Sequence, residues 1–420
     1  MYPLTLRIQK ILVVFLPLLD RKNKNHPKLV EGWFFVIIHL VKIAYFTDTF
    51  YPDLNGVTIS VDNFAKLLRK KGHTVYIFAP QIKGGDRKKD KNIIRLPSIK
   101  ILSNTEPNIY MPLIWPNKEF RKMFSEDFDI IHAHGNGLYS LLGYFIAKIK
   151  RKPFVMTFHV MHTHYGHYIF KGKVINPKMI SKILKIFGQR CRAMFVPSLK
   201  MKNELIGYGL KKEIYVTPNF LELERFTVNK KGYLHKYLDL QMDVPIILTV
   251  GRIGKEKNID FILKVFKAIS KKDKKSHLVI VGKGPEKDNL VLESKRLGIA
   301  DRTHFTGVID YDYMPFVYKD ADVFTFASYT ETQGICVLEA AASGLPCVVN
   351  DDLAFKDVVI DNENGYLLSL DEKIFADKIL LLLKNQKLRD QMSRKSMKIA
   401  SQNFNPELIT GELVKIYHKL

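Results

Sequence analysis

Tyr329-Thr-Glu331-Thr-Gln-Gly334-Ile-Cys-Val-Leu-Glu339-Ala-Ala-Ala-Ser-Gly344-Leu-Pro346 decides how this chain is read. It follows an apolar run, Val323-Phe-Thr-Phe-Ala327, short enough for a buried strand. Gly334 opens a short helix, and Gly344 with Pro346 stops it. In open α/β sheets, ligands gather outside the carboxyl ends of strands, and this strand-to-helix junction falls there. A carboxylate accepts hydrogen bonds from paired hydroxyls, so Glu331 and Glu339 suit a polyhydroxylated ligand.

Outward from this stretch, apolar runs alternate with helical patterns. Strands are predicted at Ile246–Val250, His277–Val281, His304–Val308 and Cys347–Asn350, and a mostly helical tail from Asp371 to Leu420. An earlier series opens at Val41–Thr47, followed by a helix from Val57 to Lys70 and strands at Thr74–Phe78, Asp129–Ala133, Phe154–Phe158, Phe195–Pro197 and Ile214–Thr217. The polar segment Pro218 to Asp243 reads as irregular and marks the boundary. Two such series imply an α/β, doubly wound protein with two domains, which 420 residues can fill.

Other junctions carry phosphate-type chemistry. Val250-Gly251-Arg252-Ile-Gly254-Lys-Glu-Lys257 follows a strand and opens a helix. Glycine lets backbone approach a phosphate; Arg252 offers a planar fork and Lys257 a point charge. Gly282, in Val281-Gly-Lys-Gly-Pro285, and Gly307 close the next two strands and read as pocket walls. Asn55-Gly56-Val57 precedes the first helix and reads as a second loop able to meet a phosphate. His159 stands just past a strand, followed by His162, His164 and His167. No acidic second shell accompanies these imidazoles in the sequence, so no metal is assigned.

The Glu331-x7-Glu339 pattern, with Arg252 and Lys257 ahead of it, resembles the signature of retaining, nucleotide-sugar-dependent glycosyltransferases of family 4. Phe46-Thr-Asp-Thr-Phe-Tyr-Pro-Asp-Leu-Asn-Gly56 and Thr163-His164-Tyr165 are similar to the diacylglycerol glucosyltransferase branch. The resemblance implies the GT-B fold: two Rossmann-like domains facing across a cleft, with a C-terminal helix crossing back to the first. On that basis residues 41–225 form an acceptor-binding domain, 226–400 a nucleotide-sugar-binding domain and 401–420 the helical return. Arg252 and Lys257 would hold the donor diphosphate, Glu339 the ribose and Glu331 the donor sugar. His159 would touch sugar and acceptor, with Asn55 and Gly56 close to both. A UDP-sugar serves as donor substrate, with no separate cofactor. The expected reaction moves glucose to a membrane lipid such as diacylglycerol. A polyprenyl-linked or polysaccharide glycan, a soluble sugar, and a non-catalytic membrane-surface protein are the alternatives. Pro218-Asn219-Phe220 departs from the Pro-Asn/Thr-Gly of relatives, which bears on the loop joining the domains.

A net charge of +24 favours polyanions. No zinc-type Cys/His spacing or RNA-binding aromatic signature is present, so the partner expected is an anionic membrane surface and not nucleic acid. Two stretches suit that surface: the amphipathic Lys178 to Arg190, and Tyr110 to Phe124, where aromatics mix with cations. Three cysteines without a CxxC pair fit a reduced, cytoplasmic setting, and the protein is expected on the cytoplasmic face of the membrane. Residues 1–40 read as an extension, either a surface anchor or residues ahead of a start at Val41. The intact mass of the natural product tests the second.

Overall fold

The computed structural model describes residues 4–8, 11–19, 29–82, 90–102, 109–160, 182, 184–185, 187–228 and 230–420. Contacts divide the chain into two compact units, Met1–Thr157 with Ile186–Met194 and Val414–Leu420, and Phe158–Lys185 with Phe195–Leu413.

Three strands precede the first α/β series: β1 (Leu4–Ile8), β2 (Ile11–Leu19) and β3 (Leu29–His39), paired antiparallel as a separate sheet. Next come β4 (Lys42–Thr47), β5 (Thr74–Pro80), β6 (Ile93–Leu96), a hairpin of β7 (Ser98–Leu102) and β8 (Ile109–Pro112), β9 (Ile130–His134), β10 (Phe154–Thr157), β11 (Ala193–Val196) and β12 (Ile214–Val216). The sheet order is β12-β11-β10-β9-β4-β5-β6. Ile43, Ala44, Tyr45 and Phe46 of β4 are wholly buried, as a central parallel strand requires. Helix α1 (Gly56–Lys70) buries Val61, Phe64, Ala65 and Leu68, which recur at helical spacing. Helices α2 (Lys118–Ser125) and α3 (Leu138–Lys150) complete this series.

The second unit holds α4 (Leu199–Gly207), α5 (Tyr233–Tyr237), β13 (Ile246–Val250), α6 (Ile259–Lys272), β14 (His277–Val281), α7 (Lys287–Arg296) and β15 (Thr303–Gly307). It continues with α8 (Met314–Asp320), β16 (Val323–Phe326), α9 (Ile335–Ala342), β17 (Cys347–Asn350), β18 (Gly365–Leu368), α10 (Glu372–Lys384) and α11 (Gln386–Asn403). A last helix, α12, runs Pro406–Lys419, and its end, from Val414, counts with the first unit. The six-stranded sheet is parallel throughout, in the order β15-β14-β13-β16-β17-β18. Its order reverses between β13 and β16, where Ile247 faces Val323 and Leu248 faces Phe324. That switch point is where an open parallel sheet leaves a crevice at its carboxyl edge.

The predicted alternation holds, with shifts of a residue or two at strand ends, where hydrogen bonding rather than apolarity sets the limits. Two differences are larger. The segment read as irregular contains a 3-10 turn at Leu223–Phe226 and helix α5. β6, the β7–β8 hairpin and β18 were not expected, because runs of four or five residues carry little periodicity. Of the stretch Lys178 to Arg190, residues 178–181, 183 and 186 lie outside the described residues.

Candidate functional site

β13 and β16 flank the switch point, and the loops leaving them carry the charged residues. After β13 the chain turns through Gly251, at φ +155°, and a neighbouring turn passes Gly282 at φ +142°. A Cβ on Gly282 would lie 1.9 Å from the Gly251 carbonyl oxygen, so the contact between the two turns admits only glycine. Gly307 differs: open space surrounds its Cβ direction, and its φ of +76° is what demands glycine. Its carbonyl accepts from Gly282 N–H at 2.8 Å. This backbone stack aims Arg252 and Lys257 from the β13 edge.

β16 leads through Ser328–Gln333 to Gly334, whose φ of +73° turns the chain into α9. Glu331 stands before the helix and forms an ion pair with Lys257, both side chains mostly buried. The Lys257 ammonium also lies 5.6 Å from the centre of the Phe326 ring. Arg252 reaches Glu256 at 3.4 Å. A cation and a carboxylate are therefore held side by side at the carboxyl edge of β13 and β16.

Glu339, inside α9, is buried, with its Oε1 accepting from the Tyr311 hydroxyl at 3.0 Å and its Oε2 from Tyr318 at 2.7 Å. It is neither a helix cap nor a solvated helix residue. Burial pushes its carboxyl up to about 7, against the two tyrosine hydroxyls and Arg225, which pull it down.

The Glu331 loop is braced by its own unit. Thr332 Oγ1 donates to the main-chain oxygen of His159 at 2.9 Å, and Ser198 Oγ donates to the Thr332 carbonyl. Gln333 and Asn219 exchange three hydrogen bonds. Asn219 N and Nδ2 donate to Gln333 Oε1, each at 2.8 Å, and Gln333 Nε2 donates to Asn219 O at 3.0 Å. Asn219 belongs to the departing Pro218-Asn219-Phe220 step, so that step is locked onto the candidate site while Phe220 is buried. Lys200 adds an ion pair with Asp352 at 2.5 Å. Burial pushes the His159 imidazole down to about 4, leaving it neutral at ordinary pH.

The structure thus brings Arg252, Lys257, Gly282, Gly307, Glu331, Glu339 and His159 into the second unit. Asn55 and Gly56 lie in the first. Asn55 caps α1, accepting from Thr58 N at 3.0 Å and donating to Thr49 Oγ1 at 2.9 Å. His162, His164 and His167 lie outside the described residues, and among the described residues no three metal-binding side chains cluster. Sequence reasoning missed Tyr311 and Tyr318 as partners of Glu339, and the Gln333–Asn219 pair beside the Glu331 loop. Only the Pro218-Asn219-Phe220 step, whose Phe220 stands where relatives carry glycine, carried any signal.

The model of the family described as Glycosyl transferases group 1 matches residues 233–399, and that of Glycosyltransferase Family 4 matches residues 54–225. An alpha-monoglucosyldiacylglycerol synthase of Streptococcus pneumoniae is 30% identical over 370 residues, covering 87% of this chain and 83% of its own. The chain belongs to glycosyltransferase family 4. A synthase of the same name from Acholeplasma laidlawii is 27% identical, covering 90% and 96% of the two chains. Among solved structures, a sucrose-phosphate synthase of Thermosynechococcus elongatus matches with a TM-score of 0.73 at 20% identity, covering 90% of this chain and 98% of its own. Anabaena HepE, solved in complex with UDP-glucose, matches at 0.72 and 17%, covering 90% and 100%. The fold is GT-B, and this family 4 enzyme is a retaining, nucleotide-sugar-dependent glycosyltransferase.

Proposed function

We propose that the enzyme transfers glucose from UDP-glucose to a membrane lipid of the diacylglycerol type, working at the cytoplasmic face of the membrane. The observation that carries this reading is the similarity to two alpha-monoglucosyldiacylglycerol synthases across nearly their whole lengths. The UDP-glucose bound by HepE, which shares the fold, supports the donor. Arg252 and Lys257 neutralise charge growing on the departing diphosphate, an electrostatic stabilisation that acts most in the transition state. The diphosphate draws Lys257 from Glu331, and Glu331 then accepts from the sugar hydroxyls. Glu339 holds the ribose. His159, neutral at working pH, positions sugar and acceptor as a hydrogen-bonding group and not as a cation. Gly282 and Gly307 wall the donor pocket, and the Asn55-Gly56 turn offers main-chain amides suited to a phosphate.

A membrane partner is supported by the surface of the first unit. Ile99, Ile101, Leu113, Ile114 and Trp115 are exposed on and just after the β7–β8 hairpin, Trp115 by 72%. Lys100, Lys118 and Arg121 are exposed among them. Apolar side chains with interspersed cations suit an anionic bilayer interface. No helix of the described residues is long and apolar enough to cross a membrane, so the attachment proposed is peripheral.

The test is radiolabelled transfer from UDP-glucose to vesicles of diacylglycerol and anionic lipid. Label in an organic-soluble glucolipid, lost in Glu331→Ala and Arg252→Ala, supports donor and acceptor together. UDP-glucose bound without any lipid product overturns the acceptor, and no binding at all overturns the donor.

A further inference from the structure

Glu339 is 4% exposed, and each of its carboxylate oxygens already accepts one tyrosine hydroxyl. An ionised carboxylate offers roughly four acceptor positions, two on each oxygen. The tyrosines take one on each and leave one on each. Both donors are themselves held. Tyr318 on α8 is wholly buried, its ring tilted against Phe226 and Phe324 at 6.2 and 6.0 Å. The Tyr311 ring lies beneath the Arg225 guanidinium at 5.1 Å, and Arg225 is tied to Asp312 at 2.8 Å.

We infer that Tyr318 and Tyr311 are positioning residues that hold Glu339 with both remaining acceptor positions aimed at a vicinal diol, which makes the enzyme selective for an intact ribose. The inference deepens the proposed function and rests on its assignment of Glu339 to the nucleotide ribose. A glutamate side chain has three torsions, and a singly anchored carboxylate rotates to present one oxygen. Anchored at both oxygens, it meets two neighbouring hydroxyls together. A sugar lacking one of them leaves a buried acceptor unsatisfied, and sites built on such pairing reject the deficient analogue strongly.

Titration calorimetry of the full chain with UDP, 2′-deoxy-UDP, 3′-deoxy-UDP and pyrophosphate tests this. The wild type is expected to bind UDP at least about tenfold tighter than either deoxy analogue. Tyr318→Phe should shrink that ratio to roughly two- to threefold while pyrophosphate affinity stays level. A merely structural defect would weaken all four ligands. Tyr311→Phe, at a half-buried position, repeats the test should Tyr318→Phe fold poorly. Glu339→Gln separates the two layers. A variant that keeps the full ratio overturns the ribose assignment, and the inference with it. A ratio lost in Glu339→Gln but intact in both folded tyrosine variants overturns the inference alone.

Discussion

Both α/β series have a switch point, and the two are furnished in opposite ways. In the first unit it lies between β4 and β9, and the Asp48 carboxylate fills it. Asp48 accepts from Gly137 N at 3.1 Å and Tyr139 N at 2.9 Å. A Cβ on Gly137 would fall 2.4 Å from the same carboxylate. The amide end of α3, a natural anion site, thus carries an internal anion. In the second unit the switch point carries Arg252, Lys257 and Glu331 on loops, and α9 begins at a glycine without a side-chain cap. At the second junction the internal carboxylates Glu256 and Glu331 pair with the cations Arg252 and Lys257, while the start of α9 itself has no side-chain cap. The same architecture therefore yields one helix start that holds an internal carboxylate and one that begins without a side-chain cap.

The largest effects should come from the second junction. Lys257→Ala and Glu331→Gln are expected to lower turnover roughly 10²- to 10³-fold with little change in melting temperature. Steady-state transfer and thermal denaturation check this, and a variant that only melts earlier would undo the contrast. At the first junction the reverse is expected. Asp48→Ala leaves the Gly137 and Tyr139 amides of α3 without this acceptor and should cost about 1 kcal/mol in denaturant unfolding. Loss of UDP affinity without loss of stability would show that Asp48 serves a ligand after all.

A pH experiment sharpens the second side. The Glu339 carboxyl is raised to about 7 from an ordinary 4.5, so the folded state binds its proton more tightly than the unfolded state. The stability this provides is full below about 4.5 and lost as pH rises through 7. Glu339→Gln should therefore gain on the wild type by roughly 1–3 kcal/mol between pH 5 and 8.5, read from melts across that range. A constant difference would mean the carboxyl is not held in its neutral form. An equally small effect belongs to Asn55→Ala, which removes the α1 cap at about 1 kcal/mol. UDP affinity should be unchanged; a many-fold loss would give the Asn55-Gly56 loop the ligand role its sequence suggested.

Much of this was legible in the linear chain. β13, β14 and β17 end where their apolar runs end, because a strand buried on both faces is a continuous apolar word. Arg252, Lys257, Glu331 and Glu339 stood out because glycines and a stop signal surrounded them. Asn55 caps α1, a role the sequence could not separate from a phosphate loop, because both use the same residue types at the same junction. Tyr311 and Tyr318 were silent, as a tyrosine before or within a helix reads as packing.

By itself, then, the sequence determined the alternation of strands and helices, the family and the residues able to neutralise a diphosphate, since these rest on local periodicity and short spacings. Tertiary structure decided which partners those groups meet. Asp48 meets α3 across about ninety residues, Asn219 meets Gln333 across 114, and Lys257 meets Glu331 across 74. Whether a polar group is free for chemistry depends on partners at such separations, and only the folded chain brings them within hydrogen-bonding distance.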